Sequence, residues 1–238
     1  MSTAALPPEE IKKILAKVQL FAGLEEGEIE RVLQAARIRR IEPDAYLYFQ
    51  GDPASHLHVL LKGNMRLSQL TMEGQQVILR YASAGEAFGI VAVLSGACYP
   101  VTAQAVDDCL ILALSEAEMN ELMASMSLLA LNALKIVVTH AREFQDRIRE
   151  LSTERVERRI ARAVLRLARQ SGRKIEEGVL LDLPVSRQDL AELTGTTLYT
   201  VSRTLSQWES KGLIKSGREE IVVLFPHGLV AIAEDLPE

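Results

Sequence analysis

Cysteine is nearly absent from this chain. Cys98 and Cys109 are the only two in 238 residues. Two thiols cannot build a disulfide framework, and they offer no zinc-finger or iron–sulfur spacing, so a reducing, cytoplasmic location is expected. Long apolar runs are missing too: no stretch approaches about 18 residues and no signal-peptide pattern opens the chain, so no membrane partner is expected. Positive charge is not in excess. Net charge is −5, from 27 Lys/Arg against 32 Asp/Glu, so the chain as a whole is not drawn to polyanions. A low-complexity linker, an internal repeat, a nucleophile elbow, a phosphate loop, a metal cluster and a coherent acid–base pair are all lacking. The reading is therefore not an enzyme.

The charge that is present is unevenly placed. From Thr153 onward 13 Lys/Arg meet 13 Asp/Glu, which leaves the whole negative excess upstream. Within that neutral half the run from Arg155 through Arg158, Arg159, Arg162, Arg166, Arg169 and Arg173 to Lys174 is basic. Such a stretch suits contact with phosphates, and for any one of these residues a plain solvated helix face is the equal alternative.

The pattern of apolar residues divides the chain. Pro8 opens a short helix with Ile11, Ile14, Leu15 and Val18 at helical spacing, and a second helix is expected over residues 26–36. From residue 38 to 114 short β-type runs are cut by turn residues, at Gly51-Asp52-Pro53, Lys62-Gly63-Asn64 and Glu73-Gly74, as in a small barrel or sandwich. Ser115 to Glu118 reads as a capping box that restarts helix. The organising stretch follows. Ala130, Leu134, Val137, Ala141, Phe144, Ile148 and Leu151 repeat at alternating steps of four and three. That heptad makes one narrow apolar stripe, which packs best on a second helix of the same kind, so a homodimer is expected. Residues 151–154 then supply a hinge, since Ser152 and Thr153 favour caps over helix interiors.

The strongest functional signal lies between residues 184 and 224. Ser186 starts a helix with Leu190, Ala191 and Leu193 inward, broken at Thr194-Gly195. A second helix begins near Thr197, with Leu198, Val201, Leu205 and Trp208 expected inward. Two short helices about a glycine-bearing turn make a helix-turn-helix. The outward stripe Tyr199, Ser202, Arg203 and Ser206 has the spacing needed to meet base edges in a major groove. Lys215 and Arg218 sit on a following β-hairpin wing within reach of phosphate. With Ser186, Thr197 and Thr200 at the helix starts, these residues are the expected contacts to double-stranded DNA.

Helices, β-barrel, seam helix and winged helix-turn-helix, in that order, resemble the Crp/Fnr superfamily of bacterial transcription regulators. The resemblance covers nearly the whole chain. It is carried by residues 49–54 around Gly51, Asp52 and Pro53, by residues 59–63 ending in Lys62-Gly63, by Gly85-Glu86, and by Thr200, Ser202 and Arg203. It implies an α+β fold: a sensor domain over residues 1–125, a cyclic-nucleotide-binding-type, jelly-roll-like β-roll with flanking helices; a dimerisation helix and hinge over 126–152; and a winged helix-turn-helix over 153–238. It also implies RNA polymerase as a partner if the protein is an activator.

The resemblance implies an effector too, and here the chain departs from its relatives. Cyclic-AMP-binding members hold ribose and phosphate with Glu and an Arg-Ser pair, where this chain has Ile90, Pro100 and Val101; the residues beneath the purine fall at Phe144 and Gln145. Cyclic AMP is therefore not expected. No Cys precedes Cys98, so the iron–sulfur cluster of the oxygen sensors is not expected either. Residues 99–106 and 148–152 are similar to the nitric-oxide-responsive, denitrification and nitrosative-stress branch, some of whose members bind haem. That likeness makes haem b a candidate cofactor, with His140 as its first candidate ligand and His58, Met126 or Cys98 as others. His140 has an ordinary surface or packing role as its alternative, and His56 and His58, on one strand face, can simply be solvated. The effector, a small molecule or a gas, is expected in a mainly apolar pocket of Phe88, Ile90, Tyr99, Pro100 and Thr102, closed by Leu134 and Val138 of the seam helix. Two functional readings remain beside a ligand-gated regulator: a haem-based nitric oxide sensor with the same DNA output, and a regulatory module whose head no longer binds DNA.

Overall fold

The computed structural model describes residues 6–236. The chain divides into two compact units, residues 1–69 with 80–143 and residues 70–79 with 144–238, so the boundary falls inside a helix, between Glu143 and Phe144.

Helix α1 (Pro8–Leu15), a single 3-10 turn (Gln19–Phe21) and α2 (Glu26–Ala35) come first. Two antiparallel sheets follow. One has the order β1 (Arg37–Ile41), β8 (Cys109–Ser115), β3 (His56–Lys62), β6 (Ala87–Phe88). The other runs β2 (Tyr46–Tyr48), β7 (Thr102–Ala105), β4 (Asn64–Leu70), β5 (Gln76–Ser83). Both contribute to one core, with Leu57, Val59 and Leu112 from the first and Met65, Leu67 and Ala103 from the second. The β3–β4 turn needs Gly63. Its φ is +88°, and a Cβ there would lie 2.8 Å from the Cys109 sulfur and 2.9 Å from the Asp108 carbonyl oxygen. Periodicity did not reveal α3 (Ile90–Ser95), because six residues are too few to show a helical repeat.

Helix α4 (Glu116–Ser125) starts at the expected capping box, with the Ser115 hydroxyl accepting from the Glu118 amide. After Met126, α5 (Ser127–Thr153) runs 27 residues. Its first turns bury Leu129, Ala133 and Ile136 in the core, and the Asn132 amide donates to the carbonyls of Leu20 (3.2 Å) and Ala22 (2.8 Å). That packing replaces two positions of the expected stripe, Ala130 and Val137, by Leu131 and Val138, and leaves Leu134, Ala141, Phe144, Ile148 and Leu151 open. The side chains left open are Leu131, Leu134, Val138, Phe144, Ile148 and Leu151, each 43–65% exposed, while Ala130 and Val137 are half-buried. No single helix is long and apolar enough to cross a membrane.

The chain breaks at Glu154 and Arg155 and resumes as α6 (Val156–Ser171). Then come β9 (Gly172–Ile175), β10 (Gly178–Leu181), α7 (Arg187–Thr194), α8 (Leu198–Ser210), β11 (Ile214–Ser216), β12 (Ile221–Val223) and α9 (Pro226–Glu234). The expected wing is the β11–β12 hairpin, and it is wider than expected. β12 also pairs with β10, giving a four-stranded sheet in the order β11-β12-β10-β9.

Candidate nucleic-acid interface

The reading motif is built by local chemistry. The Ser186 hydroxyl accepts from the Asp189 amide at 3.0 Å, and the Asp189 carboxylate accepts from the Ser186 amide at 2.8 Å, a reciprocal cap that starts α7. Gly195 ends it in the left-handed region, at φ +61°. The Thr197 hydroxyl accepts from the Thr200 amide at 3.2 Å and starts α8. Ser186 and Thr197 are therefore held as caps, and the Thr200 hydroxyl is bonded to that of Thr197 at 3.0 Å.

Helix α8 buries Val201, Thr204, Leu205 and Trp208. One expectation fails here. Leu198 was placed inward, yet it is 48% exposed, and Thr204 takes its place in the buried set. Leu198 is the first residue after the turn, and it lines an open cleft instead of the core. The outward stripe is as expected: Tyr199 is 74% exposed, Arg203 and Ser206 are exposed and Ser202 is half-buried. The Arg203 guanidinium carbon lies 6.0 Å from the centre of the Tyr199 ring, at the outer edge of cation–π range.

The wing is fastened to both helices. The Glu209 carboxylate accepts from the Ser216 amide at 2.7 Å and from its hydroxyl at 2.9 Å, and Arg187 donates to that hydroxyl at 3.2 Å. Between wing and helices lies a cleft of about 470 Å³, lined by Ser186, Arg187, Gln188, Leu198, Gly217 and Arg218 among others. Two guanidinium groups beside an open cleft suit a phosphate. Arg187 and Gln188 escaped the sequence reading, although their place in the first turn after the cap was the available signal. Lys215 is paired with Glu177 at 3.3 Å, whereas Arg218 is exposed near the hairpin tip.

The basic run on α6 does different work from that expected. Arg158 donates to the Ala233 carbonyl, Arg162 to Glu154 and Glu234, and Arg166 to Glu150 at 2.8 and 3.0 Å. Arg159 donates to three backbone carbonyls. These four arginines are internal ties, so the phosphate-contact expectation does not hold for them. The Glu150 and Glu154 side chains are almost wholly buried, and a buried carboxylate must be paired. A glutamate pair one turn apart, ahead of arginines every four residues, was the signal in the sequence.

In the sensor unit Phe88, Ile90 and Tyr99 lie in the packed core. Tyr99 stacks on Tyr48 with ring centres 3.7 Å apart, and its hydroxyl donates to the His56 carbonyl at 2.6 Å. Thr102 is half-buried, its hydroxyl accepting from the Gln50 amide; Pro100, Leu134 and Val138 are exposed. Solvation of His58 is not what the structure has. That side chain is 3% exposed and stacked on Phe88 at 5.4 Å, and among the described residues its Nδ1 has no hydrogen-bond partner. Burial, reinforced by His56 and Arg39, pushes its pKa down to about 3. Ile90 and Val101 present no charge; the ion pair of this region is Arg80 with Glu86, at 2.6 Å.

The candidate haem donors are unequally placed. His58 is closed in the aromatic stack, Met126 is buried in the core and Cys98 is exposed. A porphyrin reaching His58 would have to open the Tyr48–Phe88–Tyr99 packing, so His58 and Met126 do not fit as donors in this fold. His140 is half-buried on α5, and burial, then the Arg80 guanidinium, lowers its pKa. Among the described residues no three His, Cys, Asp or Glu side chains are grouped to hold a metal ion.

Comparison with known proteins agrees with this geometry. Residues 38–126 match the cyclic nucleotide-binding domain family, and residues 158–232 match the Crp-like helix-turn-helix domain family. The chain is 29% identical over 198 residues to the cyclic AMP receptor protein of Thermus thermophilus, covering 83% of this chain and 88% of that one. It is 25% identical over 197 residues to the transcriptional activator FnrA of Stutzerimonas stutzeri, covering 83% and 80%. Among solved structures, FixK2 of Bradyrhizobium japonicum superposes with a TM-score of 0.74 at 24% identity, over 83% of this chain and 96% of that one. A CRP-family regulator of Thermus thermophilus superposes with a TM-score of 0.70 at 25% identity, over 82% and 96%. The two domains in this order, on this fold, define a class of DNA-binding regulator with a sensor of the cyclic-nucleotide-binding type. The chain belongs to the Crp/Fnr family of transcription regulators.

Proposed function

We propose that this protein is a cytoplasmic homodimer that reads an inverted-repeat DNA site with α8 and is switched by a small-molecule or gas effector other than a cyclic nucleotide. The observation that carries the DNA reading is the open stripe of Tyr199, Ser202, Arg203 and Ser206 on a helix capped by Thr197, beside the cleft of Arg187 and Arg218. Arg203 is the main reader of sequence, its fork matching O6 and N7 of a guanine. What supports the dimer is the row of open apolar side chains on α5. Each is already about half covered, so a partner that buries the rest gains roughly 1–2 kcal/mol per side chain. Two-fold symmetry then requires half-sites about one helical turn apart. RNA polymerase is a partner if the output is activation. The test is selection from random duplexes with the purified protein; a preferred site without two-fold symmetry overturns the dimer reading.

The exclusion of cyclic nucleotides rests on Ile90, Pro100 and Val101, none of which can form the paired, charge-assisted bonds a phosphate needs. Micromolar binding of cyclic AMP or cyclic GMP by calorimetry would sink it. A second reading makes the effector nitric oxide bound at haem, with nitrosative-stress or denitrification genes as targets. What favours it is the likeness of residues 99–106 and 148–152, and His140, half-buried and held toward the neutral form that ligates iron. An absorption spectrum of the protein with added haem, with and without nitric oxide, separates the two readings.

A further inference from the structure

Two breaks in the chain meet at one side chain. The first is the hinge after α5, at Glu154. The second is the turn of the reading motif, at Thr194 and Gly195. Arg159, in the first turn of α6, donates from Nη1 to the Glu154 carbonyl at 3.1 Å, from Nε to the Thr194 carbonyl at 3.1 Å and from Nη2 to the Gly195 carbonyl at 3.3 Å. Carbonyls at the end of a helix lack intrahelical partners and carry the negative end of its dipole, so a cation is favoured there. Spanning three of them takes a planar fork with several fixed donors, which arginine has and lysine lacks.

Two further contacts fasten the same place. A Cβ on Gly195 would lie 3.2 Å from Cδ2 of Leu151, so the turn rests directly on the end of the dimer helix. Trp208, fully buried on α8, donates from its indole nitrogen to Glu157 of α6 at 3.0 Å. Both helices of the reading motif are thus tied to the first turn of α6, beside the hinge. The Glu154 side chain is itself held by Arg162 at 3.0 Å.

We propose that Arg159 is a positioning residue that fixes α8 to the end of its own dimer helix, and so sets the spacing between half-sites that the dimer accepts. Three of its five N–H donors, one on each nitrogen, are held by carbonyls of its own chain, which fixes the guanidinium at the turn, so its role is to act through α8. In a symmetric dimer the distance between the two reading helices is set by the seam and by these ties. Loosening a tie lets that distance spread. The proposal rests on the homodimer and inverted-repeat reading above.

The test uses the full-length protein, its selected inverted repeat, and duplexes whose spacer is longer or shorter by one or two base pairs, all at one salt concentration. Wild type should lose roughly a hundredfold in affinity when the spacer changes by two base pairs, because only one half-site then engages. For Arg159→Gln and Arg159→Lys that penalty should shrink to roughly tenfold or less, while the preferred half-site sequence stays the same. Lysine keeps the charge but not the fork, so full recovery of spacer discrimination by Arg159→Lys overturns the proposal. So does an unchanged spacer profile in folded, dimeric Arg159→Gln. If the Arg159 variants fail to fold, Glu157→Ala opens the tie between α8 and α6, and it should broaden the spacer profile in the same direction. A wild-type protein that binds single half-sites as well as repeats defeats the dimer reading itself. That result is distinct from a dimer whose variants keep their spacing.

Discussion

The two surfaces expected to meet ligands are finished to different degrees in this chain. On α8 the side chains at 199, 203 and 206 stand in solvent, on a helix whose start is fixed by the Thr197 cap. In the sensor the side chains at 88, 90 and 99 are sealed, with His58 closed among the aromatics. A DNA contact is made by polar groups that cost little to leave wet, so the reading face can be complete before its partner arrives. An interior lined by Ile90, Phe88 and Tyr99 gains its stability from packing, and an effector entering there must displace side chains that already satisfy one another. In this chain the stripe of α8 stands open, and the side chains at 88, 90 and 99 are buried.

The sharpest way to break that comparison is to remove the dimer on which symmetric reading depends. Phe144→Arg and Ile148→Asp each place a charge on the open stripe of α5. Sedimentation should show monomers, and affinity for the inverted repeat should fall by roughly two to four orders of magnitude as avidity is lost. Variants that stay dimeric would falsify the seam assignment. Next in size is the reader. Arg203→Ala should cost roughly 1–3 kcal/mol on the preferred site and relax the preference at one symmetric base pair. A selection returning the wild-type sequence removes Arg203 from that role.

The closed sensor has its own signature, in pH. Burial holds His58 near pKa 3, against an ordinary 6.5. Between those values the unfolded chain takes up a proton that the folded chain refuses. Stability from the neutral imidazole is therefore complete above pH 6.5 and is lost as pH falls towards 3. From pH 7 to pH 5 wild type should lose about 2 kcal/mol more than His58→Leu, read by urea unfolding at each pH. Equal losses would mean that the imidazole is solvated. The smallest effect belongs to the wing. Arg218→Ala should weaken binding to all sequences alike and reduce the salt slope by about one unit, with no change of preferred site.

Much of this molecule was legible along the chain. Heptad steps located α5, capping boxes at Ser115 and Ser186 located α4 and α7, and turn residues at Gly51, Gly63 and Gly74 marked the strand breaks. The outward stripe of α8 was legible because residues three and four apart on one helix share a face wherever that helix sits. Less was legible where the deciding neighbour lies far away in sequence. The basic run on α6 looked like a phosphate surface until Glu150, Glu154 and Glu234 came to meet it.

By itself, then, the sequence determined the order of the elements and the two-helix reading motif with its outward residues. Each of these follows from spacing or residue type within one segment. Only the tertiary structure decided that Arg159 serves the reading turn and the hinge together, that His58 is buried, and that Ala130 and Val137 are half-buried while Leu131 and Val138 stand open. Those outcomes depend on which segment packs opposite. A side chain's periodicity shows which face it shares, and its burial depends on the neighbour that covers that face.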